Sequence, residues 1–201
     1  MTQNPNALSR ADLYSLEDYA AQRTNIRAQV MAHKTARRVS IGPHATLYFE
    51  DRLTIQYQIQ EMLRIERLYT PAEIQEELDT YNPLIPNGQN WKATFMLEYT
   101  DEQQRREQLQ HLVDIENRLW VQVGDQQRVR PIADEDLTRT EADKTSAVHF
   151  VRFELSAAMI SAAQQGAELH MGIDHPAYTH TETPLSTEQR KALVADLATV
   201  A

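Results

Sequence analysis

The segment from Trp91 to Tyr99 sets Trp91, Ala93, Phe95, Leu97 and Tyr99 at every second position, with polar or flexible residues between them. A β-strand with one buried and one wetter face produces that period, so the chain must build a sheet and cover one side of it. Ala45, Leu47 and Phe49 alternate with Thr46, Tyr48 and Glu50 in the same way, and Ala147 to Leu155 and Ala167 to Asp174 read as further strands. Leu119 to Val123, the Gly124-Asp125 turn and Gln126 to Pro131 read as a hairpin. Helical spacing takes over from Asp12 to Lys34 behind a Ser15 N-cap, from Arg52 to Tyr69, and from Thr70-Pro71 to Asn82-Pro83. It returns from Asp101 to Glu116, from Ser156 to Gln165 ahead of Gly166, and from Ser186 onward. Ile41-Gly42-Pro43 reads as a turn, and Asp134 to Lys144 as a polar surface loop. These elements do not alternate as βαβ units. The expected class is therefore α+β, with one mostly antiparallel sheet of about five to seven strands covered by several helices.

Composition narrows the function classes. The chain of 201 residues suffices for a single domain over 1–201, with a helical N-terminal region at about 12–38 and loose first ten residues. Its zero cysteines exclude disulfides, thiolate metal sites, cysteine-ligated iron–sulfur clusters and a cysteine nucleophile. A formal net charge of -9 argues against nucleic-acid binding, and no apolar run is long enough to cross a bilayer. The N-terminus lacks a hydrophobic signal core, so a cytoplasmic location is expected. With Gly 5 in the chain there is no glycine-rich phosphate cradle, and no cofactor is expected. Arg23, Arg27, Lys34, Arg37 and Arg38 concentrate positive charge near the N-terminus; this reads as a solvated helical face or as an anion-binding surface of a regulator.

Three places carry candidate chemistry. A wheel of Arg52 to Tyr69 puts Glu66 among Ile55, Ile59, Met62 and Tyr69, where a carboxylate needs a partner or a proton. His149 shares a strand face with Val151, Phe153 and Leu155, and Arg152 points the other way. Glu66 paired with His149 or Arg152 would satisfy each group, either as a core ion pair or as an acid–base site. Asp174 and His175, flanked by His170 and His180, have the composition of a metal site. An extended Glu168 to Asp174 separates His170 from Asp174 by about 13 Å, too far to share an ion, so no metal is expected there. Trp91, Trp120 and Phe150 are more apolar surface than one small sheet covers, which predicts a homo-oligomer.

The blocks Tyr48-Phe-Glu-Asp-Arg-Leu-Thr54, Gln60-Glu-Met-Leu-Arg-Ile-Glu66-Arg-Leu68, Tyr81-Asn-Pro-Leu-Ile-Pro86, Ala147-Val-His-Phe-Val-Arg-Phe153 and Ile173-Asp-His-Pro-Ala-Tyr178 resemble an uncharacterised bacterial domain-of-unknown-function family, matched from about Thr46 to Leu197. Its genes often lie beside those for rubrerythrin-like proteins and an iron–sulfur oxidoreductase subunit. The resemblance implies a redox or peroxide-stress context and a protein partner in it, without an activity. Its motif positions fall on Glu61, Arg64, Glu66, Asn82, His149, Arg152, Asp174 and His175. The expectation is a cytoplasmic accessory or interaction protein of that system, without nucleic acid or membrane. The alternatives are a small acid–base enzyme using Glu66 and His149, or Asp174 and His175, with Arg64, Asn82, Arg152 and Tyr178 binding its substrate, and an anion-binding regulator using the N-terminal arginines.

Overall fold

The computed structural model describes residues 4–182 and 184–198. Its helices are α1 (Leu16–Thr35), α2 (Arg52–Glu66), α3 (Pro71–Tyr81), α4 (Glu102–His111), α5 (Ala157–Gln164) and α6 (Thr187–Val194). Its strands are β1 (Arg38–Ile41), β2 (Ala45–Phe49), β3 (Asn90–Leu97), β4 (Leu119–Val123), β5 (Ile132–Ala133), β6 (Val148–Glu154), β7 (Leu169–His175) and β8 (Tyr178–Glu182). The class is α+β and every strand pairing is antiparallel. The strands form two sheets rather than one, in the orders β1-β2-β3-β6-β5 and β4-β7-β8. The split arises at β4, which pairs along its length with β7. The return strand expected at Gln126–Pro131 supplies only the bridge Val121↔Val129, since Val129 is the one large apolar residue in that segment.

The alternating residues do what their period demands. Leu47 and Phe49 of β2, Trp91 and Phe95 of β3 and Phe153 of β6 point into one core, together with Val121 of β4 and Met171 and Ile173 of β7. A second, smaller core of Leu8, Ile55, Ile59, Leu63, Leu78 and Ile85 holds the N-terminal helices together. Trp91 and Trp120 are both fully buried, and the Arg139 guanidinium lies 4.5 Å from the centre of the Phe150 ring. The two tryptophans invoked for self-association are thus covered within the chain, while Phe150 is half-buried.

Several local features depart from the sequence reading. β1 and β8 are strands that the sequence reading does not name, whereas the turn expected at Ile41-Gly42-Pro43 is present and joins β1 to β2. Gly42, at φ 70, closes the β1–β2 hairpin in the left-handed region open to glycine. The Tyr178 hydroxyl of β8 donates to Ile41 O at 2.8 Å and accepts from His44 N–H at 2.9 Å, which latches the smaller sheet onto that hairpin. Asn4 to Arg10, expected to be loose, is tied down: Asn4 Nδ2 donates to Ile85 O at 2.8 Å and Asn6 Nδ2 to Pro86 O at 3.0 Å. Met1 to Gln3 lie outside the described residues. Helix α2 stops at Glu66 because Arg67 turns into the left-handed conformation, φ 58 and ψ 46. α4 ends at His111, ahead of the expected Glu116.

Candidate functional site

Glu66, the central candidate from sequence, is exposed on the last residue of α2. The buried stripe runs through Ile55, Ile59 and Leu63, four residues apart, and the turn that would carry it to Glu66 and Tyr69 is cut off by Arg67. Glu66 therefore meets neither His149 nor Arg152. Both Glu66→Gln and Glu66→Ala are expected to leave urea-unfolding stability within about 0.5 kcal/mol of the parent, the usual range for surface changes. The carboxylate that α2 does hold in the fold is Glu61. It accepts Tyr19 Oη at 2.6 Å and a two-point contact from Arg23 at 2.8 Å, and Arg23 holds it well down, to about 2. Arg64 is exposed and adds weaker contacts to Glu61 at 3.3–3.4 Å.

His149 is fully buried, and its partner is Asp134 rather than Glu66. Nδ1 lies 2.6 Å from Asp134 Oδ2, while Nε2 faces Thr145 Oγ1 at 2.9 Å and Ser146 O at 3.1 Å. Glu116 joins the group through Thr140 Oγ1 at 2.6 Å. Among the described residues, Glu116, Asp134 and His149 form a set whose ligand-type atoms lie within 4.8 Å of one another. The set fits a cation poorly, because Asp134 already gives Oδ2 to His149 and Oδ1 to Phe150 N–H and Arg139. What it does is fasten the long segment between β5 and β6 over the core, each buried polar group answered by another.

Arg152 lies on the outer face of the larger sheet, paired in a fork with Glu135 at 2.7 Å. Asp174 and His175 are adjacent on β7 and so project to opposite faces, which rules out a joint acid–base role. Asp174 accepts Trp120 Nε1 at 3.0 Å and Arg130 at 2.7 Å. His175 is buried; Nδ1 accepts Ala177 N–H at 3.1 Å and Nε2 faces Val113 O at 3.0 Å, so both ring nitrogens are used structurally. Asn82 donates to Leu8 O at 2.9 Å and accepts Leu8 N–H at 2.7 Å, an imitation of strand pairing that anchors the N-terminal segment. Tyr178 is the latch already described. The N-terminal arginines are spent internally or on neighbouring elements: Arg23 on Glu61, Arg27 on Tyr57, Arg38 against Glu98 and the Tyr48 ring, and Arg37 in the core. They form no common anion-binding face.

The concentration of polar chemistry around Arg37 was not legible in the sequence. Arg37 follows α1, and its guanidinium is 3% exposed. It donates to Phe49 O at 3.1 Å, Glu50 O at 3.2 Å and Ala192 O at 3.3 Å, and it binds Asp196 closely. Asp51 Oδ2 lies 3.3 Å from the same guanidinium. Asp51 is there because it caps α2: Oδ1 accepts Thr54 N–H at 2.9 Å, which leaves Oδ2 for Arg37 and for His33 Nε2 at 2.5 Å. His33 comes from the last turn of α1. With Nε2–H donated to Asp51, Nδ1 is left without a protein partner among the described residues. These groups line an open cavity of about 390 Å³ whose other walls include Leu53, Pro86 and Ala195.

The two carboxylates on Arg37 are driven apart. Burial pushes Asp196 up to about 6, with Arg37 opposing and Asp51 reinforcing the shift. Burial also opposes ionisation of Asp51, but the Arg37 charge, the α2 N–H and His33 together hold Asp51 below its usual range. Two acids held by one cation, one kept ionised and the other brought near neutrality, is the pattern of an acid–base pair. No signal in the sequence joins residues 33, 37, 51 and 196, because the cluster depends on α6 returning to the β1–β2 end.

A family described as a protein of unknown function, DUF3501, matches residues 7–197. It thus includes α1, which the resemblance seen in the sequence leaves out. The crystal structure of a protein of unknown function from Burkholderia pseudomallei K96243 shares 49% identity and a TM-score of 0.91, covering 96% of this chain and 100% of that one. No curated protein shows significant similarity to the chain. The chain belongs to the DUF3501 family.

Proposed function

We propose that the protein is a small acid–base catalyst working at the cavity bounded by His33, Arg37, Asp51 and Asp196. The observation that supports this reading is that an oriented imidazole, His33, and a carboxyl that burial pushes up to about 6, Asp196, line one open cavity. Asp51 holds His33 by Nε2, so Nδ1 takes a proton from substrate; Asp196 returns one, its pKa close to the working pH as an efficient acid–base group requires. Arg37 touches both carboxylates and fixes their geometry, a positioning role. The cavity of about 390 Å³ suits a small polar molecule.

The test is a turnover screen of small polar metabolites with the parent, His33→Gln and Asp196→Asn. The expected result is an activity cut about 100-fold or more in each variant, the usual size of an acid–base contribution. In the parent, a limb of the kcat/KM profile should sit near 6 and be absent from Asp196→Asn. An activity that survives both substitutions unchanged would place the chemistry elsewhere.

Asp196 also makes a stability prediction. A carboxyl raised in the fold from 3.8 to about 6 favours folding when protonated. Its contribution is whole below pH about 3.8 and is lost as pH rises through about 6. The total is roughly 3 kcal/mol. Relative to Asp196→Asn, the parent should lose stability across that window and hold a constant difference above it, as read from urea midpoints at a series of pH values.

The accessory role implied by the family resemblance is a second reading, supported by a separate observation. Tyr14 is 42% and Tyr69 62% exposed, and both edge a groove of about 370 Å³ floored by Leu13, Leu63 and Leu68. A protein partner of a redox or peroxide-stress system would seat an apolar side chain there.

A further inference from the structure

On the outer face of the larger sheet, Glu50, Lys92 and Arg152 stand in a row across three neighbouring strand ends. Lys92 is directly opposite Arg152 in the β3–β6 ladder, and Glu50 N–H bonds Lys92 O at 2.9 Å. Arg152 is satisfied by Glu135. Lys92 and Glu50 are not joined to each other. Among the described residues the Lys92 ammonium has one acceptor, Pro83 O at 2.5 Å, and no carboxylate within ion-pair distance. Glu50 accepts two hydroxyls, Thr94 Oγ1 at 2.8 Å and Thr54 Oγ1 at 2.6 Å, and meets no cation within the same distance.

Opposite charges placed side by side on neighbouring strands ordinarily pair. Here each is held back by other groups, Lys92 by the carbonyl of Pro83 and Glu50 by two threonines. Both line one cavity of about 90 Å³, with Leu84 and Phe150 as its apolar walls. Burial and the Arg152 charge lower the Lys92 pKa, against the more distant charges of Glu135 and Glu154, which act to raise it. The space is far below the roughly 300–1,000 Å³ of drug-sized pockets.

We infer that this cavity binds a small α-amino acid, its carboxylate on Lys92, its ammonium on Glu50 and a short side chain against Phe150 and Leu84. A free carboxylate would leave Glu50 uncompensated and a free amine would leave Lys92 so; a zwitterion answers both. The site is separate from the Arg37 cavity, although Glu50 precedes Asp51, and it does not depend on the acid–base reading.

The test titrates 15N-labelled protein with L-alanine, propionate and ethylamine, following the amides of Lys92, Thr94 and Phe150 to Arg152. L-Alanine is expected to shift these saturably with a Kd of about 1 mM or below, while the two fragments bind at least about tenfold more weakly. Lys92→Met and Glu50→Gln, both on the wetter face, should keep the folded spectrum and each lose L-alanine binding about tenfold or more. Saturable shifts confined to these amides and weakened about tenfold or more in both variants establish the site. Absence of any L-alanine shift, equal binding of propionate or ethylamine, or an affinity unchanged by either substitution would overturn it.

Discussion

Arg37→Met should destabilise the protein by about 3–5 kcal/mol in urea unfolding at neutral pH, the cost of removing one partner from a buried ionic cluster. The guanidinium answers three backbone carbonyls and two carboxylates at once. Methionine preserves much of the volume but removes this donor from all five, and of the two carboxylates Asp51 keeps Thr54 and His33. Arg37→Lys should recover only part of the loss, since an ammonium cannot present the planar fork that reaches Phe49 O and Asp196 together. The defect should shrink as pH falls toward about 6, because without Arg37 the Asp196 carboxyl takes up its proton at a still higher pH and then no longer needs the cation. A loss under about 1 kcal/mol would mean that Arg37 behaves as a surface residue and that the cluster does not hold α1, β2 and α6 together.

Gly172→Ala should cost about 3 kcal/mol or more, the upper range for overpacking a tight site. Gly172 lies directly opposite Trp120 in the β4–β7 ladder. The indole lies across it, so a methyl group would press into the ring and come within 2.7 Å of His180 O. Neither neighbour is free to yield. Trp120 Nε1 donates to Asp174 at 3.0 Å, Arg128 stacks 3.7 Å from the ring centre, and His180 pairs with Ile173 in the β7–β8 ladder. The expected signs are a lower urea midpoint and a red-shifted tryptophan emission as the indole is prised from the sheet. An unchanged midpoint and emission would show that Trp120 can rotate away without cost.

What was legible in the sequence follows from how local each signal is. The alternation in β2, β3 and β6 and the caps at Ser15 and Thr70 are written in a few neighbouring residues, and they place those elements correctly. Burial of His149 followed from its strand parity. Its partner did not, because Asp134 reaches it from a segment that reads only as a polar loop. Glu66 shows the limit of a helical wheel. The apolar pattern continued past a point where one residue, Arg67, adopts a left-handed conformation that nothing about arginine announces. The Arg37 cluster was hidden for a different reason. Its members are 4 to 163 residues apart and meet only through tertiary packing, and the basic run that includes Arg37 looks like an ordinary solvated face.

The most direct measurement on the acid–base reading is a carbon-detected NMR titration of the side-chain carboxyl groups, with Asp196 assigned through Asp196→Asn. The account predicts an Asp196 midpoint at about 6, while Asp51 remains ionised below the ordinary aspartate range. An Asp196 midpoint near the ordinary 3.8 would contradict it, because the cavity would then hold two permanent carboxylates and Asp196 could not supply the proton that the acid–base reading assigns to it.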